Sequence, residues 1–242
     1  MTATATATLH RSLLVLDAEH PAVRAAIVDA HHMHALVMSG FADRLDDYDF
    51  FTGHNTGHAD HRASLNIQHA TSMRKDGTIR VLTQATVEAQ WKNPEADKWR
   101  DALLDDPTPR VYTPILDGRI RYELRANPTR TKNGRKLALS TNTDISNWWF
   151  RKAETAGLRL DSAPDTDSPW EMRSPTKTER TQNGTPNSGA SGGEFMVRTH
   201  RLTGYATITD PDAHHAALTA GIGPARAYGC GMLLTMRPRT RN

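Results

Sequence analysis

The alternation of apolar and polar positions divides the first part of the chain into short strands and one helix. Residues 13–16 form a short apolar run that predicts a strand, and Pro21 then opens a helical pattern that stops near Gly40. Two alternating segments, residues 63–69 and 78–83, are separated by a Lys-Asp-Gly turn and predict a β-hairpin.

The pattern continues with a short helix and a strand whose two faces differ sharply. Residues 96–104 predict the helix, and in Arg119–Ala126 apolar residues alternate with charged ones, so that one face of the strand is basic. The resulting order is strand, helix, strand, strand, helix, strand. This order is typical of a ferredoxin-like domain.

The second half of the chain partly repeats this order of elements. We expect a helix over residues 144–157, strands around 170–173 and 194–209 on either side of a low-complexity loop, and a helix over 210–220. A last strand is predicted over residues 232–236. The repeat is one of element order only, and no sequence identity between the two halves is visible.

A glycine-rich loop lies between the last predicted helix and the last strand. It contains Gly221, Gly223, Gly229 and Gly231, with Arg226 in the middle. Glycine adopts positive φ angles readily and allows a foreign backbone to come close, so such a loop can seat a phosphate. Nucleotide-binding loops run from strand to helix, with GK[ST] or a later acidic residue. The order here is helix, glycines, strand, which argues against an NTPase or a Rossmann enzyme.

Three motifs together resemble the CasE family of type I-E CRISPR repeat endoribonucleases. They are the glycine-rich loop, the segment RYELRANP at residues 121–128 with its basic extension over 129–136, and His34 near the end of the first helix. The resemblance implies an α+β protein of two tandem ferredoxin-like (RRM-like) domains. We place the domain with the histidines at residues 1–127 and the domain with the glycine-rich loop at 128–242.

The resemblance also implies an activity and partners. The family cuts CRISPR precursor RNA beside a repeat stem-loop without a metal, which gives mature guide RNA with 5′-hydroxyl and 2′,3′-cyclic phosphate ends. It then keeps the hairpin as a subunit of the Cascade complex. The expectation for this chain is therefore a nuclease of antiviral defence that needs no cofactor, with the repeat RNA hairpin and the other Cascade subunits as partners.

Two histidines are the candidate catalytic residues. His31 and His34 share one face of the predicted helix, whereas His32 points elsewhere. RNA cleavage without a metal needs a base for the 2′-hydroxyl proton and an acid for the leaving 5′-oxygen, and two imidazoles suit both tasks. In the family the matched positions carry a tyrosine and a histidine, so His34 matches while His31 replaces the tyrosine. The division between acid and base, and whether His31 takes part, stays open.

Two basic surfaces are the candidate RNA-binding sites, together with the glycine-rich loop. The first combines the 119–126 strand with its extension and comprises Arg125, Arg130, Lys132, Arg135 and Lys136. The second lies where the family projects a basic hairpin and comprises Arg173, Lys177 and Arg180. Clustered cations indicate a nucleic-acid footprint, and an RNA hairpin is recognised largely by its shape and phosphates. The alternative for the first surface is a merely solvated strand edge.

Composition adds limits on the compartment. The formal charge is +3 and the sequence pI about 9.1, so the placement of the cations matters more than their sum. Cys230 is the only cysteine, which rules out an intramolecular disulfide and favours a reducing compartment. The N-terminus lacks the features of a signal peptide, and no apolar stretch approaches 18 residues. We therefore expect a cytoplasmic protein without a membrane partner.

A second histidine cluster has the spacing of a metal site but lacks the rest of the pattern. His54 and His58 lie four residues apart and His61 follows three later, yet the glutamate of HExxH is missing and the segment is a glycine-containing loop. We predict surface histidines and no metal. Two alternatives to the nuclease remain: a non-catalytic RNA-binding subunit of the same complex, and, less favoured, a metal-dependent hydrolase built on residues 54–61.

Overall fold

The computed structural model describes residues 7–44, 64–97, 99–167, 169–174 and 195–238. Its first half folds around an antiparallel sheet of order β2-β3-β1-β4. The elements are β1 (Leu9–Asp17), α1 (Pro21–Val28), α2 (Ala30–Ser39), β2 (Gln68–Met73), β3 (Thr78–Ala85), α3 (Pro94–Asp97) and β4 (Arg110–Tyr112). The order of strands in this sheet is that of the ferredoxin-like fold.

The second half repeats the arrangement with an antiparallel sheet of order β10-β11-β5-β12. Its elements are β5 (Arg119–Ala126), the hairpin β6 (Thr129–Lys132) and β7 (Arg135–Ala138), α4 (Asn142–Thr155), β8 (Leu158–Leu160), β9 (Asp165–Thr166), β10 (Trp170–Ser174), β11 (Phe195–Ile208), α5 (Pro211–Ala220) and β12 (Leu233–Met236). The short strands β8 and β9 pair with β11 alongside β10. The prediction of an α+β protein with two tandem ferredoxin-like domains is confirmed.

The first predicted helix is in fact two helices that meet at Asp29. This residue leaves the helical region, with φ −115° and ψ 111°, and its carboxylate accepts a hydrogen bond of 2.8 Å from the backbone N–H of His31. Aspartate is among the best N-cap residues, so the chain restarts a helix directly after it. The predicted continuous helix from Pro21 to Gly40 was therefore wrong, and His31 lies in the first turn of a separate helix.

The strand Arg119–Ala126 belongs to the second sheet, which corrects its assignment to a first domain ending at residue 127. It pairs with β11 on one side and β12 on the other. Its apolar face, with Ile120, Tyr122 and Leu124 fully buried, packs with Trp149 in the second core. The fourth place in the first sheet is taken by β4, which is too short for its alternation to be recognised. The chain therefore passes from the first sheet to the second between Tyr112 and Arg119.

The two halves are joined by hydrogen bonds from two buried glutamines of the first sheet. Gln68 on β2 donates through Nε2 to the backbone oxygens of Leu218 (3.0 Å) and Thr219 (2.6 Å) at the end of α5. Gln84 on β3 donates to the same Leu218 oxygen at 2.7 Å. Since the last four carbonyls of a helix have no intrahelical partner, the glutamines satisfy them from the other domain. This contact fixes where the glycine-rich loop begins.

In the part of the chain that the structure describes, no helix combines the length and hydrophobicity that crossing a bilayer requires.

Candidate active site and RNA interface

The candidate catalytic histidines lie on α2, where it faces the second half of the chain. The ring centroid of His31 is 6.5 Å from that of His34 and 6.4 Å from that of His32, so the three imidazoles of α2 are neighbours. His31 is buried and His34 half-buried. Side chains merely decorating a solvated helix would be exposed. Both imidazoles instead lie where α2 faces the second half of the chain, and such packing can hold groups that transfer protons in a fixed position.

The glycine-rich loop brings a tyrosine to this pair. A 3₁₀ turn, Arg226–Tyr228, lies between α2 and β2, and the ring of Tyr228 is 6.1 Å from that of His34. The next residue, Gly229, packs against the buried His69 of β2. The contact is close: a Cβ at Gly229 would lie 3.0 Å from His69 Nε2. Residues far apart in the chain thus meet beside α2.

Packing inside the protein accounts for the glycines of the loop. Gly221, Gly223, Gly229 and Gly231 all have φ between 76° and 87°, which disfavours any other residue. A Cβ at Gly221 would also lie 2.6 Å from Gln68 Oε1. Several N–H groups are already used, since Ile222 donates to Gly231 and Gly231 donates to Arg125. The role of these glycines in seating a phosphate stays a prediction, with fewer N–H groups available for it.

Arg226, the cation in the middle of the loop, is exposed and turns back toward the protein. Its Nη1 donates to the backbone oxygen of Ala220, the last residue of α5. A cation at this position compensates the partial negative charge of the helix C-terminus. The remaining guanidinium N–H groups are the part of Arg226 that a phosphate could engage.

Arg125 is half-buried between β5, β11 and β10. Its guanidinium lies 4.8 Å from the centre of the Trp170 ring, and Nη1 is 3.5 Å from Thr199 Oγ1. Desolvation by burial lowers the pKa of Arg125, although nearby acidic groups oppose the effect. Burial likewise raises the pKa of the adjacent Cys230 thiol to about 12, so this cysteine lacks the low pKa of a nucleophile.

The basic extension after β5 is a separate two-stranded hairpin formed by β6 and β7. Its turn, Asn133 and Gly134, has positive φ at both residues, as in the type I′ turns that favour tight hairpins. The predicted cations of this hairpin that the structure describes are exposed, and none of them pairs with a described acidic residue. They are Arg130, Lys132 and Lys136. Arg135 lies opposite Lys132 in the register of the hairpin, and its side chain is outside the described part.

The basic face of β5 itself is largely neutralised by neighbouring acids. Arg119 pairs with Asp161 at 2.7 Å. Glu123 on the same face binds Arg201 of β11 through two hydrogen bonds of 2.8 Å, and these hydrogen bonds hold the pKa of Glu123 below its usual range. Except for Arg125 and the exposed Arg121, this face therefore contributes little free positive charge, and the hairpin is the stronger candidate for phosphate contacts.

The second predicted basic surface is only partly described. Arg173 lies on β10, half-exposed and 3.7 Å from Glu171, and β10 contacts α1 and α2. Lys177 and Arg180 lie outside the described residues, as do His54, His58 and His61. Within the described ranges no group of three or more His, Cys, Asp or Glu side chains could hold a metal ion.

Three residues of this region were not recognised from the sequence. Tyr228 stands inside the glycine-rich loop, and its place two residues after Arg226 could have marked it as a site residue. His69 and Trp170 gave no signal, because each is a single residue in a short strand. Only long-range pairing brings them to α2.

These observations define the class of protein. A model of the family described as CRISPR associated protein matches residues 9–238, and the chain belongs to this family. Among characterised relatives, the CRISPR-associated endoribonuclease Cse3 of Thermus thermophilus is 28% identical over 164 residues, covering 63% of this chain and 71% of the relative. The resemblance to the CasE family is thereby confirmed.

Solved structures show the same fold over nearly the whole chain. Thermus thermophilus Cse3 bound to an RNA representing a pre-cleavage complex superposes with a TM-score of 0.73 at 20% identity, covering 95% of this chain and 99% of that one. A chain of a CRISPR RNA-guided surveillance complex gives a TM-score of 0.57 at 17% identity, with 95% and 100% covered.

Proposed function

We propose that this chain is a metal-independent endoribonuclease that cuts CRISPR precursor RNA at the repeat stem-loop and so produces mature guide RNA. The observation that carries the proposal is the pair His31 and His34, held 6.5 Å apart on α2 where the two domains meet. Membership of the CRISPR-associated family and the similarity to the endoribonuclease Cse3 support an RNA-cleaving enzyme.

The reaction requires two proton transfers on opposite sides of one phosphodiester. A base removes the proton of the 2′-hydroxyl, the 2′-oxygen bonds to the adjacent phosphorus, and the P–O5′ bond breaks as an acid protonates the 5′-oxygen. The products are a 2′,3′-cyclic phosphate and a 5′-hydroxyl. His34 takes one of these tasks and His31 the other, each proton transfer contributing roughly 100- to 10,000-fold in rate.

Cations around the histidines hold the RNA. The exposed β6–β7 hairpin supplies Arg130 and Lys132, and Arg125 and Arg173 lie on the side of β10. These residues contact phosphates of the stem and not its bases, since the major groove of A-form RNA is too deep and narrow for most side chains to reach the bases. After cleavage the protein keeps the hairpin and joins a surveillance complex, as the similarity to a chain of such a complex suggests.

The test is cleavage of the repeat RNA from the same genome in the presence of EDTA. We expect one cut beside the stem, a 5′-hydroxyl on the downstream fragment, and no cut when the attacking nucleotide carries 2′-deoxyribose. His32→Ala is the matched control for His34→Ala, because His32 lies on the same helix but on a different face. A strict requirement for a divalent ion, or cleavage of the 2′-deoxy substrate, would refute the proposed mechanism.

A second candidate, a non-catalytic RNA-binding subunit, is favoured by one observation: His31 stands where the family has a tyrosine. Tight binding of the repeat hairpin with no cleavage would establish it. If cleavage occurs but does not depend on His31, then Tyr228, whose ring lies 6.1 Å from His34, is the next group to test as the proton-transfer partner.

A further inference from the structure

A cleft opens beside the histidine cluster, between the corner of α1 and α2, the strand β2 and the strand β10. It encloses about 290 Å³, near the lower end of small-molecule pockets at roughly 300 Å³. Its walls are mainly apolar and include Ile27, Val28, Met33, Met73 and Met172. A space of this size suits one planar group and not a helix or a peptide strand.

Trp170 forms the outer wall of the cleft and is unusual among the tryptophans. Its exposed fraction is 43%, whereas the other four tryptophans of the chain are at most 8% exposed. One side of its ring is covered by the Arg125 guanidinium at 4.8 Å. Its backbone oxygen accepts a hydrogen bond of 3.1 Å from Thr199 Oγ1, which ties β10 to β11. An exposed aromatic ring combined with a guanidinium plane is what single-stranded nucleic-acid sites use to stack bases.

Two polar residues among those that line the cleft are Thr71 and Glu171. The hydroxyl of Thr71 is buried and has no hydrogen-bond partner among the described residues. Glu171 also lines the cleft, but its charge is balanced by Arg198 at 3.2 Å and Arg173 at 3.7 Å. The interior can therefore accept the polar edge of a base without facing an unpaired negative charge.

The cleft is continuous with the candidate catalytic site. Tyr228 and Gly229 line it, and the same Tyr228 ring lies 6.1 Å from His34. Arg125 and Arg173 add positive charge to its walls. A phosphate held at His34 would consequently place a neighbouring nucleotide at this cleft.

We propose that the cleft binds one unpaired nucleobase of the RNA next to the scissile phosphate, stacked against Trp170. The inference rests on the proposed function and adds to it a subsite for a base outside the stem. Because base–aromatic stacking is sequence-tolerant, the cleft would recognise the unpaired state first and the identity of the base second.

The experiment uses tryptophan fluorescence of the full chain with a non-cleavable repeat RNA that carries 2′-deoxyribose at the attacking nucleotide. Since the other tryptophans are buried, quenching by acrylamide reports mainly on Trp170. We expect the RNA to protect Trp170 from acrylamide, and a single abasic substitution beside the stem to remove the protection. Trp170→Ala should weaken binding of the intact RNA about 5- to 150-fold, and Trp170→Phe should retain most of the affinity.

Two comparisons make the result specific. Phe150→Ala removes another exposed aromatic ring, 41% exposed on α4 and outside the cleft, and should change affinity less than twofold. The abasic RNA should bind the wild type and Trp170→Ala equally, since its stacking partner is already missing.

Several outcomes would overturn the inference. They are equal loss of affinity for intact and abasic RNA, a Trp170 that stays accessible to acrylamide in the complex, and a Trp170 already protected without RNA, which would mean that the protein itself fills the cleft. Cleavage of the normal repeat in the same preparation separates the two proposals. If the protein cuts its repeat while Trp170 stays accessible, only the proposed base subsite is refuted. If the RNA protects Trp170 but is not cut, only the proposed nuclease activity is refuted.

Discussion

The glutamine contact between the domains allows a quantitative prediction. In Gln68→Ala, the backbone oxygen of Thr219 loses the hydrogen bond from Gln68, while that of Leu218 keeps its bond from Gln84. The Thr219 hydrogen bond is only partly buried, so leaving its carbonyl without this partner costs toward the lower end of the about 1–3 kcal/mol expected for a buried unsatisfied group. Gln68 Oε1 is itself buried without a hydrogen-bond partner among the described residues, so its removal offsets part of this cost. We expect a net loss of about 1–2 kcal/mol in the free energy of unfolding.

For a chain of this length, such a loss should lower the midpoint of thermal unfolding by roughly 2–8 °C, which scanning calorimetry measures. Gln90→Ala is the matched control, because the Gln90 side chain is exposed and such substitutions change stability by at most about 0.5 kcal/mol. The reasoning also predicts coupling: Gln68→Ala combined with Gln84→Ala should cost more than the sum of the single variants, because only then does Leu218 lose both donors. A Gln68→Ala protein as stable as Gln90→Ala, or strict additivity in the double variant, would refute it.

The remaining predictions concern the RNA. His34→Ala should lower the single-turnover cleavage rate roughly 100- to 10,000-fold with hairpin affinity nearly unchanged, and retention of most activity would remove His34 from the mechanism. If His31 is its partner, the rate should be bell-shaped in pH around an imidazole's reference pKa of about 6.5. His31→Ala should then remove one limb, and His31→Tyr should partly restore the rate with that limb moved upward, whereas a wild-type profile in His31→Ala would make His31 a bystander. Replacing Arg125, Arg130 and Arg135 together by glutamine should weaken hairpin binding and flatten its salt dependence, since fewer counterions are released. An unchanged salt slope would mean that these cations are only solvated.

Local features of the sequence were sufficient for most elements and for the histidine pair. The strict alternation in Arg119–Ala126 identifies a strand, and His31 and His34 lie on one helix as their spacing requires. Alternation describes the two faces of a strand but not its neighbours. The assignment of this strand to the wrong sheet followed from that limit, since its partners β11 and β12 come much later in the chain.

The errors around the site have a similar origin. The apolar periodicity runs through Asp29 unbroken, so the helix break depends on a capping hydrogen bond that periodicity does not contain. The contacts of Tyr228 with His34 and of Gly229 with His69 join distant segments, and no local pattern specifies them. The sequence interpretation assigned these glycines to phosphate binding, whereas their positive φ angles, and for Gly221 and Gly229 close packing against the first domain, already disfavour other residues.

The long stretch of chain between α2 and the glycine-rich loop has a consequence for biosynthesis. Translation adds about 5–20 residues per second from the N-terminus, so α2 with its histidines is made long before residues 226–229. Until those residues leave the ribosome, β5 lacks its neighbour β12 and His34 lacks its neighbour Tyr228. A nascent chain therefore carries both histidines before Tyr228 is beside them, and any cleavage that depends on Tyr228 requires residues 226–229 to have been made.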